Sequence, residues 1–167
     1  MKHFLPLKTV RASKATIVKA CAVLLGLVFL AAGTGKALGQ SEFTHALEGS
    51  FFAPVMANII ARYLPWLEIS LGVLLVMGIF PKITSALSIG LISGFIVSNS
   101  WLLMNGAQTA ITCEYCFGIW EKFLGSLSPV QALFVDVALL GLALVVLTQA
   151  PVPERLFRFW TKAGNKA

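Results

Sequence analysis

Four apolar runs, each of about twenty residues, leave this chain few ways to fold. They cover residues 17–38, 59–80, 83–105 and 129–149. Each is close to the ~20 residues a helix needs to cross a ~30 Å hydrocarbon layer. Lipid offers no partner to an open backbone N–H or C=O, so helices are the required form. Only 12% of the residues are charged, about half the ~25% of an ordinary soluble domain. Those charges gather between the runs. The chain is therefore expected to be all-α: an integral membrane four-helix bundle, one domain over residues 1–167. An amphipathic lead-in from Phe51 precedes the second run, and a basic amphipathic tail covers residues 151–167.

Lysine and arginine placement sets the expected orientation. Lys2, Lys8, Arg11, Lys14 and Lys19 lie at or before the start of the first run, Lys82 between the second and third, and Arg155, Arg158, Lys162 and Lys166 after the fourth. The alternate links hold only Lys122, with Glu42, Glu48, Glu114 and Glu121. The bias predicts cytoplasmic N- and C-termini in a bacterial inner membrane. The net charge of +6 is explained by these flanks, which argues against nucleic-acid binding. The first run shows no convincing small-x-small cleavage site and is expected to remain a span. Gly33-Thr34-Gly35-Lys36 within it lacks the first glycine and the Ser or Thr of a phosphate loop.

Charges inside the runs are few: Lys36, Glu68, Asp136 and, at an outer end, Arg62. Each would cost about 2.5–3.5 kcal/mol at a bilayer centre if left without a partner. Counted along each helix, Lys36, Glu68, Asn99 and Asp136 fall in the outer half. Convergence is expected there, with Lys36 paired to Glu68 or Asp136. One lysine facing two carboxyl groups would also form a proton and charge network. Small residues recur at Ala86, Gly90, Gly94 and Ser98, and at Gly35 and Gly39. These stripes are expected to be packing seams within the bundle.

The reactive chemistry lies in Cys113-Glu114-Tyr115-Cys116-Phe117-Gly118, in the link before the fourth run. Two thiols at this spacing can close into a reducible disulfide. A redox-active pair and a static loop disulfide are both open at this point. Zinc is not expected, because His45 alone supplies too few further ligands. Phe117, Ile119, Trp120 and Phe123 make the link apolar enough to lie on the outer interface above the polar residues. Trp66 and Trp101 are expected at the same level as aromatic anchors. Cys21, far from the pair, reads as an inert small apolar residue.

Together these motifs resemble the DoxX-like membrane proteins, and most of all their MauE (methylamine utilisation) branch. Gly33 to Lys36 is similar to the family's Gly-x-x-Lys at the end of helix one. Pro65-Trp66-Leu67-Glu68-Ile69-Ser70-Leu71-Gly72 resembles its proline, glutamate and glycine pattern in helix two. Cys113 to Gly118, followed by a span bearing Asp136, resembles its cysteine-Phe-Gly segment. The family's cysteines often stand one residue apart; here two residues separate them. The resemblance implies a four-helix inner-membrane protein linked to thiol redox, working beside a thioredoxin-like periplasmic partner, and its relatives include a subunit of a thiosulfate:quinone oxidoreductase.

The expected function is a quinone-linked thiol–disulfide oxidoreductase. Cys113 and Cys116 would pass electrons between a periplasmic thioredoxin-like or substrate protein and the membrane quinone pool. Lys36, Glu68 and Asp136 would supply charge balance and protons. No covalently bound cofactor is expected, and a quinone is the expected diffusible partner. The alternative is a non-catalytic membrane subunit or assembly factor of a redox enzyme, with a structural disulfide.

Overall fold

The computed structural model describes residues 7–48, 52–104 and 128–150, with side chains from residue 14 onward. The Cys113–Cys116 pair, the rest of the 105–127 link and the tail 151–167 lie outside the described residues. Among the described residues the structure is all-helical: α1 (Leu7–Leu38), α2 (Gln40–Glu48), α3 (Pro54–Met77), α4 (Pro81–Met104) and α5 (Pro129–Gln149). Four of these are long and apolar enough to cross a membrane, over Lys14–Leu38, Pro54–Met77, Pro81–Met104 and Val130–Gln149. The chain is a multi-pass membrane protein.

Local chemistry places the ends. Pro54 starts α3 at a position where its missing N–H costs nothing, so α3 begins five residues before the expected 59. Gly78 stops it before the expected 80, with φ of 67° in the left-handed region. The Ile79 N–H reaches the Leu74 carbonyl at 3.0 Å and the Gly78 N–H reaches Leu75 at 3.1 Å, a Schellman closure. Phe80 also has a positive φ, 48°; its carbonyl accepts from the Thr84 N–H and hydroxyl as α4 begins. Ser128 caps α5 in a capping box with Gln131. The short α2, continuing from α1 after a break at Gly39, was not anticipated as a separate element. Its buried residue is Phe43, and it packs on α3.

The helices form two closely packed pairs, α1 with α3 and α4 with α5, joined mainly through α1 against α5. Glycine makes the first pair tight. A Cβ on Gly26 would lie 2.8 Å from the Gly72 carbonyl oxygen, and one on Gly72 would lie 2.8 Å from the Gly26 carbonyl oxygen. Leu25, Phe29, Leu75, Ile92, Ala143 and Val146 form the apolar core across both pairs, with the half-buried Cys21 packed against it. The opposite, outward face is apolar as well: Phe134 is 73% exposed and Trp66 64%. Apolar residues outside and ionisable ones inside is the arrangement lipid demands.

One expectation about packing is corrected. Gly35 and Gly39 are buried, but the α4 stripe faces outward. Ala86, Gly90 and Gly94 are exposed, and a Cβ on Gly90 or Gly94 would touch nothing within 4 Å. The buried face of α4 is instead Thr84, Ser85, Ser88, Ile92 and Asn99. The end of the bundle away from α2 thus also holds buried hydroxyls. Its hydroxyls are satisfied by backbone: Ser85 donates to the Ala143 carbonyl on α5 at 2.9 Å, and Ser88 to Thr84 at 2.8 Å.

Candidate functional site: a buried charge cluster

Spacing within α1 and α3 builds the first half of the site. Gly33 and Lys36 are three residues apart and share a face of α1; Pro65 and Glu68 do the same on α3. A Cβ on Gly33 would lie 2.8 Å from the Pro65 carbonyl oxygen and 3.0 Å from the Glu68 Cβ. The missing side chain lets α3 come close enough for the next turn to meet Lys36. The Lys36 ammonium donates to Glu68 Oε1 at 2.5 Å. Both residues are buried, at 3% and 0% exposure.

The second half belongs to α4 and α5. Asn99 Nδ2 donates to Asp136 Oδ2 at 2.7 Å, and both residues are buried. The halves are not isolated. The Lys36 ammonium lies 4.5 Å from the centre of the Phe95 ring on α4 and 5.6 Å from the Phe43 ring on α2. Phe95 precedes Asn99, the partner of Asp136, by one turn of α4. Aromatic faces attract an ammonium, more strongly where water is excluded. Of the expected network, the structure joins Lys36 to Glu68 and holds Asp136 on Asn99. The partner of Lys36 is Glu68. Arg62 is exposed and does not join.

Two features of the cluster define its chemistry. Among the described residues, its buried ionisable groups are one ammonium, Lys36, and two carboxyl groups, Glu68 and Asp136. Glu68 Oε2 is buried and has no hydrogen-bond partner among the described residues. No group of three or more metal-ligating side chains occurs among the described residues. The aromatic contacts of Phe43 and Phe95 were not read from the sequence. Phe95 carried a usable signal, since it precedes Asn99 by one helical turn and shares its face.

The cluster sits near one end of the bundle. Lys36 is in the last turn of α1, Asn99 is five residues from the end of α4, and Asp136 is seven after the start of α5. The link 105–127, which carries Cys113 and Cys116, leaves from and returns to this end. The family described as methylamine utilisation protein MauE matches residues 14–149, a range that takes in all four spans, the link and every member of the cluster. The chain belongs to the MauE family. Among curated proteins and solved structures, none matches it.

Proposed function

We propose that this MauE-family protein is a thiol–disulfide redox protein of the bacterial inner membrane. In this reading Cys113 and Cys116 cycle between dithiol and disulfide at the periplasmic face. They exchange with a thioredoxin-like or substrate protein outside and with the quinone pool inside the membrane. Oxidation of the pair by quinone forms one S–S bond and one quinol, and transfers two electrons and two protons. The wider likeness to DoxX-like proteins belongs to the same proposal.

The observation that carries the reading is the buried cluster at the end of the bundle where the cysteine link departs. Ionisable groups are costly inside a membrane and mark sites of ion or proton handling. A group that exchanges protons is what a two-electron, two-proton exchange at the cysteines would use. Family membership and the positive-inside bias of the flanks support the same placement.

A second reading has its own support. The Lys36–Glu68 pair ties α1 to α3 and would serve a non-catalytic subunit or assembly factor equally well. The Cys113→Ser/Cys116→Ser protein separates the two. A redox protein stays inserted and abundant while losing thiol exchange; a scaffold loses abundance or partner assembly. The reduction potential of the pair in membranes, with and without added quinone, is the direct measurement. A value well below about −300 mV marks a permanent crosslink and would overturn the redox reading.

A further inference from the structure

We propose that Arg62, flanked by Tyr63 and Trp66, forms a binding site for the phosphate of an anionic phospholipid on the outward face of α3. The site lies apart from the buried cluster and stands whether or not the cysteine pair is redox-active.

A row of exposed apolar residues runs along α3. Val55, Ile59, Trp66, Val73 and Met77 recur in it at helical spacing. Arg62 falls in the same row, three residues after Ile59 and four before Trp66, and is exposed as well. The other charged residue of α3, Glu68, is turned inward and paired with Lys36. Among the described residues the Arg62 guanidinium makes no ion pair or hydrogen bond. Glu48, which precedes α3 in the chain, is already engaged by His45 at 3.5 Å and by Asn58 at 3.4 Å. A full positive charge therefore stands on a face that the fold turns toward lipid.

Depth decides what meets that charge. Arg62 comes eight residues after Pro54, about 12 Å along the helix axis. A helix of 24 residues is about 36 Å long and overhangs a hydrocarbon layer of about 30 Å by about 3 Å at each end. The Arg62 Cα thus lies about 9 Å below the nearer boundary, where a bare charge is costly. Side chains on a helix lean toward its N-terminus, and for Arg62 that is the nearer boundary. Its apolar stem can run up the helix and set the guanidinium among lipid phosphates. A guanidinium matches a phosphate with two parallel N–H···O bonds. Tyr63 and Trp66, each 64% exposed, are the amphipathic rings that settle at this level of a bilayer. A net-anionic headgroup is favoured over a zwitterionic one, whose own ammonium competes for the phosphate.

Native mass spectrometry of the full chain tests this, with phosphatidylglycerol or phosphatidylcholine titrated into non-ionic micelles. The basic flanks also attract anionic lipid, so the measured quantity is the difference between variants. The wild type should hold phosphatidylglycerol roughly fivefold more tightly than Arg62→Gln, the scale of one cationic side chain at an anionic surface. Phosphatidylcholine should show a smaller difference. Arg62→Lys should fall between, with the charge kept and the paired bonds lost. Equal retention by wild type and Arg62→Gln overturns the site, and an equal loss of both lipids overturns the anionic preference. Free glycerol phosphate should not displace the lipid; displacement at matched concentration makes a soluble phosphate the ligand instead. The link 105–127 at this end of the bundle holds Glu114, Glu121 and Lys122, outside the described residues. Glu114→Gln/Glu121→Gln should leave retention unchanged; a rise means that a link carboxylate holds Arg62 and overturns the proposal. Lys122→Gln should preserve the difference between wild type and Arg62→Gln, and its disappearance hands the lipid to Lys122. A dimer mass lost in Arg62→Gln makes a second copy of the chain the occupant. If Arg62→Gln fails to insert, Arg62→Lys decides alone, and retention equal to wild type overturns the paired bonds.

Discussion

At the residue scale, Lys36 and Glu68 depend on each other. Removing one partner leaves a buried charge without compensation, which costs about 3–5 kcal/mol. Glu68→Ala is expected to lose that much in a reversible unfolding measurement in micelles. Lys36→Met combined with Glu68→Leu is expected to recover most of the loss, because apolar replacement of a buried ion pair is often neutral. Neutral contacts rank far lower. Ser85→Ala breaks the bond to the Ala143 carbonyl and should cost about 0.6 kcal/mol, the usual scale for hydrogen bonds between membrane helices. These same residues were the most legible in the sequence. A charge in an apolar run must find a partner, so Lys36, Glu68 and Asp136 announced a meeting. Which carboxylate takes the lysine was not legible, because it depends on how far each helix is rotated about its axis.

At the element scale, the outcome of adding one methyl group depends on which way a glycine faces. Gly72→Ala would press a Cβ to 2.8 Å from the Gly26 carbonyl oxygen, where backbone must move. It should destabilise the α1–α3 pair by about 1–3 kcal/mol, read as a lower unfolding midpoint. Gly90→Ala meets nothing within 4 Å and should be neutral or stabilising by up to about 1 kcal/mol, from helix propensity alone. The sequence did not separate these two glycines. In water the outward face of a helix is polar, and periodicity reveals the inward one. In lipid both faces are apolar, so the stripe on α4 read as a seam although it points outward. The short α2 was missed for a related reason. It carries charge and a single buried aromatic residue, Phe43, and resembles a polar link. The starts and stops were better marked, by Pro54, Gly78 and the Ser128–Gln131 box.

At the scale of the whole molecule, four spans follow from length and composition, and the structure has them. Orientation is a proposal from the lysine and arginine bias. It predicts that a membrane-impermeant thiol reagent added outside intact cells, under reducing conditions, labels Cys113 and Cys116. Labelling confined to cytosolic reagents would reverse the topology and end the periplasmic reading. Cys21, half-buried against the core, should stay unlabelled from either side.

The division into two helix pairs bears on how the chain is made. Lys36 and Glu68 lie in the first pair, Asn99 and Asp136 in the second. Synthesis runs from the N-terminus. The lysine therefore finds its counter-charge as soon as α3 emerges, before α4 exists, and the amide of Asn99 is already waiting when Asp136 arrives. Neither hairpin has to leave the translocon with its ionisable residue bare to the lipid.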